Sequence, residues 1–161
     1  MPNYIRSHNN NCMEVKDLKI KENKEILFGE PVNNTAQSWA LTSLGDGSGF
    51  CTIDIAGTGY CLEIKNSKVK NGTAVILGTK TNSNAQHWKV TYRKASDFDG
   101  KSMFSIHSRM DENYVLDVAA GNGRSGPFGT KSGSLIIWLG HFEDNQLFKL
   151  DDALVNMTKT L

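Results

Sequence analysis

Three acidic residues stand at set distances ahead of three glutamines. Glu14 precedes Gln37 by 23 residues, Glu63 precedes Gln86 by 23, and Asp117 precedes Gln146 by 29. A carboxylate only accepts hydrogen bonds, whereas a carboxamide both donates and accepts. All three copies keep the glutamine, so its first assignment is structural: it satisfies backbone groups near a shared core. Other reactive side chains form no working set. His8, His87, His107 and His141 are scattered, and none makes a metal-ligand spacing with Cys12, Cys51 or Cys61. There is no Gly-x-Ser-x-Gly elbow and no Cys/His pairing with a third orienting group. Gly126 to Ser132 faintly resembles a phosphate-binding loop, but Thr130 breaks the Gly-Lys-Ser order and no helical pattern follows. The expectation is a non-enzymatic chain without cofactor or metal.

The acid–Gln pairs lie inside a larger echo. Ala36-Gln37-Ser38-Trp39 returns 49 residues later as Ala85-Gln86-His87-Trp88, and again in altered form as Asn145-Gln146-Leu147-Phe148. Upstream, Cys12-Met13-Glu14-Val15 is echoed by Cys61-Leu62-Glu63-Ile64 and Val115-Leu116-Asp117-Val118. Self-similarity at a fixed period decides the architecture. Each copy reads as about four short strands with period-two patterning, divided by turn residues. Asp46-Gly47 and Asp99-Gly100 mark tight turns at the joints between copies. Four short strands cannot bury their own apolar face, so three copies must share one core and close the sheet. Val15, Leu27, Trp39, Leu62, Trp88, Val90, Leu116, Ile137 and Phe148 are among the residues expected to face inward. The expected organisation is a single all-β domain over residues 1–161, with repeats at about 3–45, 46–98 and 99–150 and a tail at 151–161.

Composition narrows the function. The 161 residues carry 18 Lys plus Arg against 17 Asp plus Glu, a net charge of +1. That balance gives no long-range attraction to nucleic acid or anionic lipid. No stretch approaches the ~18 apolar residues needed for a spanning helix, so no membrane insertion is expected. Three cysteines, an odd number, fit buried free thiols better than a disulfide framework. Without a visible secretory leader, a cytoplasmic location, or export by another route, is the expectation.

The Gln-x-Trp landmarks (Gln37/Trp39, Gln86/Trp88, with Gln146/Phe148 a variant), joined to the upstream Cys-Leu-Asp-like segments, resemble the ricin B-chain-like lectins. The resemblance covers about residues 3 to 150. It implies a β-trefoil: a six-stranded barrel capped by three hairpins with pseudo-threefold symmetry. It also implies up to three shallow sugar sites, one per repeat, often for galactose or N-acetylgalactosamine. In the family pattern an Asp ends the second strand, an aromatic residue follows the third, and an Asn precedes the signature Gln. The third repeat matches with Asp117, Trp138, Asn145 and Gln146. In the first two, Glu14 and Glu63 replace the Asp, Gly29 and Gly78 stand where Trp138 stands, and Ala36 and Ala85 replace the Asn. Secreted members often staple each repeat by a disulfide. Here Pro31, Lys80 and Gly140 lie near the second cysteine position, so no staple can form and a reducing compartment is favoured.

The implied site has a physical logic. Trp138 offers a rigid π face to the C–H patch of a pyranose. Ionised Asp117 accepts charge-assisted bonds from hydroxyls, and Asn145 can donate and accept, fixing one hydroxyl's orientation. His141, three residues beyond Trp138, is a further candidate contact, and any contact from Gln146 is secondary. The competing readings are a core aromatic for Trp138, a solvated strand-end carboxylate for Asp117 and a turn residue for Asn145. Six residues beyond the other repeats' spacing fall within 119–134, where Asn122, Arg124 or Phe128 would contact a ligand or the loop would deform the site. The resulting expectation is a lectin for galactose-type glycans, reaching avidity as a homodimer or in a larger complex. The alternatives are a β-trefoil protease inhibitor, or the sugar-binding targeting subunit of a toxin or hydrolase.

Overall fold

The computed structural model describes residues 2–119 and 133–161, so Asn122, Arg124 and Phe128 lie outside the described residues. The described residues form twelve strands: β1 Ile5–Ser7, β2 Cys12–Val15, β3 Ile26–Gly29, β4 Trp39–Ser43, β5 Cys51–Ile55 and β6 Tyr60–Ile64, then β7 Val75–Thr79, β8 Trp88–Ala95, β9 Ser102–Ser108, β10 Tyr114–Val118, β11 Leu135–Leu139 and β12 Phe148–Leu150. Six of them pair antiparallel in the order β1–β12–β9–β8–β5–β4. The ring closes where the Trp39 amide donates to the Asn3 carbonyl at 3.0 Å. The other six form the hairpins β2–β3, β6–β7 and β10–β11, which touch through bridges at Glu25–Ile76 and Ala74–Ile136. This is a β-trefoil. Closure answers the requirement that three small units share one interior without exposed edges.

The Gln-x-Trp tryptophans tie barrel to cap. Trp39 and Trp88 are fully buried, and their indole N–H groups donate to the Met13 carbonyl at 2.9 Å and the Leu62 carbonyl at 3.3 Å. A buried indole needs such a partner, and the acceptor here belongs to the second strand of its own repeat. Phe148 has no such donor and instead stacks on Phe28, ring centroids 6.0 Å apart. At the joints, Gly47 (φ 73°) and Gly100 (φ 71°) adopt the left-handed conformation that Asp-Gly supplies at low strain.

Three details differ from the sequence reading. In β3, Ile26 and Phe28 face the core and Leu27 does not. The run Ile26-Leu27-Phe28 is apolar throughout, so alternation alone does not fix its phase, and a one-residue slip turns every side chain over. Val90 packs against the core but is only half-buried. Residues Asp152–Thr158 form a helix, α1. Its Leu154 is fully buried and joins the barrel core.

Cys12, Cys51 and Cys61 are free and buried, as expected. Burial pushes the Cys12 thiol up to about 11, and Cys51 and Cys61 up to about 12. These are inert core groups.

Candidate functional site

The recurrent acid–Gln spacing is a hydrogen bond made three times. The Nε2 of Gln37 donates to Glu14 at 3.0 Å, that of Gln86 to Glu63 at 2.9 Å, and that of Gln146 to Asp117 at 3.0 Å. Each Nε2 also donates to a carbonyl seven residues upstream: Glu30, Thr79 and Leu139 respectively. The Gln146 Oε1 accepts from the His141 and Phe142 amides at 2.8 and 3.0 Å. Both of its donors and both of its lone pairs are therefore used. Gln146 holds the 140–143 loop and the Asp117 carboxylate in place and keeps no capacity for a ligand.

The strand register makes Gly29, Gly78 and Trp138 equivalent. Gly29 faces Cys12, Gly78 faces Cys61 and Trp138 faces Val115. A Cβ at Gly78 would lie 2.7 Å from the Glu63 Oε2 and 2.9 Å from its Cδ; a Cβ at Gly29 would collide with the Glu14 carboxylate. In the first two repeats the glutamate folds over a glycine and occupies the place of an aromatic side chain. In the third, Asp117 is one methylene shorter and Trp138 takes that place.

Asp117 and Trp138 project from the same face of the β10–β11 hairpin. Asp117 pairs with Ile136 and Val115 with Trp138, a diagonal relation that sets the two residues about 7–8 Å apart. Leu116, Val118, Leu135 and Ile137 occupy the opposite face and enter the core. Trp138 is 40% exposed, so it is not a core aromatic. One edge of its ring lies over Gly72, at a distance of 3.8 Å from a Cβ built there. The strand is anchored by the Asn71 Oδ1, which accepts from the Leu139 amide at 2.9 Å. No local spacing in the sequence links Asn71 to a strand 68 positions away.

Asp117 is buried to 4% exposure, not a solvated strand end. Burial pushes its carboxyl above the usual carboxylate range; hydrogen bonds from Gln146 and Asn145 and the nearby His141 oppose that rise. The Asn145 Oδ1 is buried and without a partner, so its amide donates to Asp117 while its acceptor stays unused. The His141 Nδ1 accepts from the Glu143 amide at 3.2 Å. In the neutral ring the Nε2–H is then left free to donate. Asp117, Asn145, Gln146 and His141 thus converge, with Trp138 alongside on the hairpin. Among the described residues no group of three or more His, Cys, Asp and Glu could hold a metal, and no helix is long and apolar enough to cross a membrane.

Residues 5–78 match the family model described as ricin-type beta-trefoil lectin domain-like. The resemblance carried by the Gln-x-Trp landmarks is borne out over that span, which takes in the first repeat and the second as far as Gly78. No curated protein matches the chain in sequence. Solved structures share the fold along nearly the whole chain. The designed threefold-symmetric protein ThreeFoil superposes with a TM-score of 0.74 at 20% identity, covering 93% of this chain and 97% of its own. The Rhizoctonia solani agglutinin gives 0.71 at 19% identity, covering 93% of each chain. The exo-β-1,3-galactanase of Clostridium thermocellum gives 0.74 at 23% identity over 92% of this chain, which spans only 29% of that enzyme. The molecule is a β-trefoil with a ricin-type, lectin-like sequence signature.

Proposed function

We propose that this protein is a non-enzymatic carbohydrate-binding protein that takes a galactose-type residue at one site in its third repeat. The observation that carries the reading is the contrast among equivalent positions. Only the third repeat pairs a short acid with an exposed indole, Asp117 with Trp138, while the other two close the same space with Glu over Gly. The indole supplies a flat apolar surface for sugar C–H groups. Asp117 offers about four acceptor positions, of which Gln146 and Asn145 use two. The orphan Oδ1 of Asn145 and the free Nε2–H of His141 add one acceptor and one donor. Hydroxyls, which donate and accept, suit this mixture, and an epimer that misplaces one would leave buried groups unpaired.

Two of the similar structures carry names that concern carbohydrates, an agglutinin and an exo-β-1,3-galactanase of which this chain spans 29%. A single shallow site has a dissociation constant on the order of 0.1–1 mM, about −4 to −5.5 kcal/mol. Useful avidity then comes from a dimer or a fused partner. A glycan array run with the wild type and with Trp138→Ala tests the reading. Signal on galactose-terminated glycans in the wild type, lost in the folded variant, supports it. Equal signal from both proteins removes the assignment.

A further inference from the structure

The flank of the barrel where the first repeat meets the second holds a cleft of about 380 Å³, lined by Thr42, Thr52, Asp46, Lys80, His87 and Arg109 among others. Its floor comes from the outer face of β5. Cys51, Ile53 and Ile55 enter the core, so Thr52 and Asp54 alternate outward, with Thr42 opposite Thr52 on β4. His87 joins them because its neighbour Trp88 points inward and pairs with Cys51.

Three buried polar atoms in this cluster have no partner: the Oγ1 of Thr52, the Oδ1 of Asp54 and the Nε2 of His87. Six such atoms occur among the described residues, so half of them gather here. A buried unpaired polar group is costly; two of the three belong to residues that line the cleft, Thr52 and His87, and mark a place shaped for something else to complete. The other oxygen of Asp54 is engaged, accepting from Thr42 at 2.6 Å and from Lys80 at 3.2 Å. Arg109 is held over the Phe50 ring, 4.9 Å from its centroid, and 3.7 Å from Asp46. The Arg109 Nη1 lies 3.5 Å from the His87 Nδ1. An arginine can only donate, so Nδ1 accepts and Nε2 carries the proton. Burial, and Arg109 next, hold the imidazole below its usual pKa, which keeps it neutral.

The residues equivalent to Asp54 on the other two flanks are partnered. The bridges Arg6–Cys12, Asp54–Cys61 and His107–Val115 make Arg6, Asp54 and His107 equivalent. Arg6 is bonded to Asp151 at 3.3 Å. The two ring nitrogens of His107 are taken by Ser105 and by the Glu112 carbonyl, both at 2.8 Å. Among the described residues the second flank gathers an acceptor (Asp54), a donor (His87) and a group of both kinds (Thr52) that are unfilled, whereas the third flank has one such atom, the His8 Nδ1. Its charges cancel in pairs, Lys80 with Asp54 and Arg109 with Asp46. An anion would meet the Asp46 carboxylate, and a cation would meet Lys80 and Arg109. A neutral molecule with adjacent hydroxyls meets neither objection and suits the unfilled Thr52 and His87 groups that line the cleft, and a cleft of this volume is in the range of small-molecule sites.

We propose that this cleft is a second binding site, separate from the Trp138 site, that takes one residue of a neutral polyhydroxylated ligand, a saccharide unit. The full chain, labelled with ¹⁵N, is titrated with free galactose, glucose, mannose and myo-inositol while backbone amide shifts are followed. The expected result is saturable shifts at Thr52, Asp54, His87 and Arg109 with at least one probe, resolved from any set around Asp117 and Trp138. Thr52→Val removes the hydroxyl at nearly constant shape, and His87→Phe removes the donor. Each is expected to weaken the binding read at these amides by about tenfold or more. A cleft holding water only, with no saturable shift from any probe, overturns the proposal. Unchanged binding in either folded variant also overturns it. Because the two sets of amides are read separately, failure here and failure of the Trp138 site are distinguishable.

Discussion

Asp117 combines two demands that pull against each other. In the proposed role it accepts sugar hydroxyls best when ionised, yet burial favours its protonated form. The folded carboxyl therefore binds its proton more tightly than the unfolded one. Its ionisation is a cost to folding at neutral pH, and its contribution to stability improves as pH falls through the raised value. Sugar affinity runs the other way, falling with pH as the carboxylate is lost. Affinity measured by calorimetry across an acidic pH series is expected to decline at a higher pH than an ordinary aspartate would give, and Asp117→Asn is expected to flatten the dependence. Gln86 shows the structural half of the same motif. Removing it strands Glu63, the Thr79 carbonyl and the Thr81 and Asn82 amides. Gln86→Ala is expected to cost about 2–4 kcal/mol, measured by urea unfolding.

The hairpins show why two repeats differ from the third. Glu over Gly and Asp beside Trp are two solutions for one small volume, so their exchange must be concerted. Gly78→Trp alone forces a Cβ against Glu63 and is expected to destabilise by about 1–3 kcal/mol, the usual cost of overpacking. Adding Glu63→Asp should recover most of that loss, a coupling that a double-mutant cycle measures. Strictly additive effects would contradict the steric account. This pairing is legible in the amino-acid sequence, because the three repeats act as three versions of one hairpin and the acid and aromatic positions change together. The acid–Gln bond is legible for the same reason. Other features leave no such trace. Leu27 sits in an unbroken apolar run, where period two gives no phase. Helix α1 covers seven residues and is too short to show a pattern. The cleft at Thr52 and His87 draws on positions from Thr42 to Arg109 and appears only once the barrel closes.

The molecule as a whole separates scaffold from site. Its core is one closed barrel in which the pseudo-threefold landmarks, Trp39, Trp88 and Phe148, are all buried. The three thiols belong to that scaffold. The native protein is expected to leave Cys12, Cys51 and Cys61 unreactive toward a thiol reagent at about pH 8, with all three reacting after denaturation; rapid labelling of the native fold would contradict their place in the core. The proposed sugar site lies where the symmetry is broken. Trp138 is exposed while Trp39 and Trp88 are sealed from solvent, so a change in tryptophan emission on adding a sugar is expected to come from this position. The most direct measurement is therefore a galactose titration followed by tryptophan fluorescence in the wild type and in Trp138→Phe. The account predicts a saturable change in the wild type that disappears in the variant. No change in the wild type, or the same change in both, would contradict it.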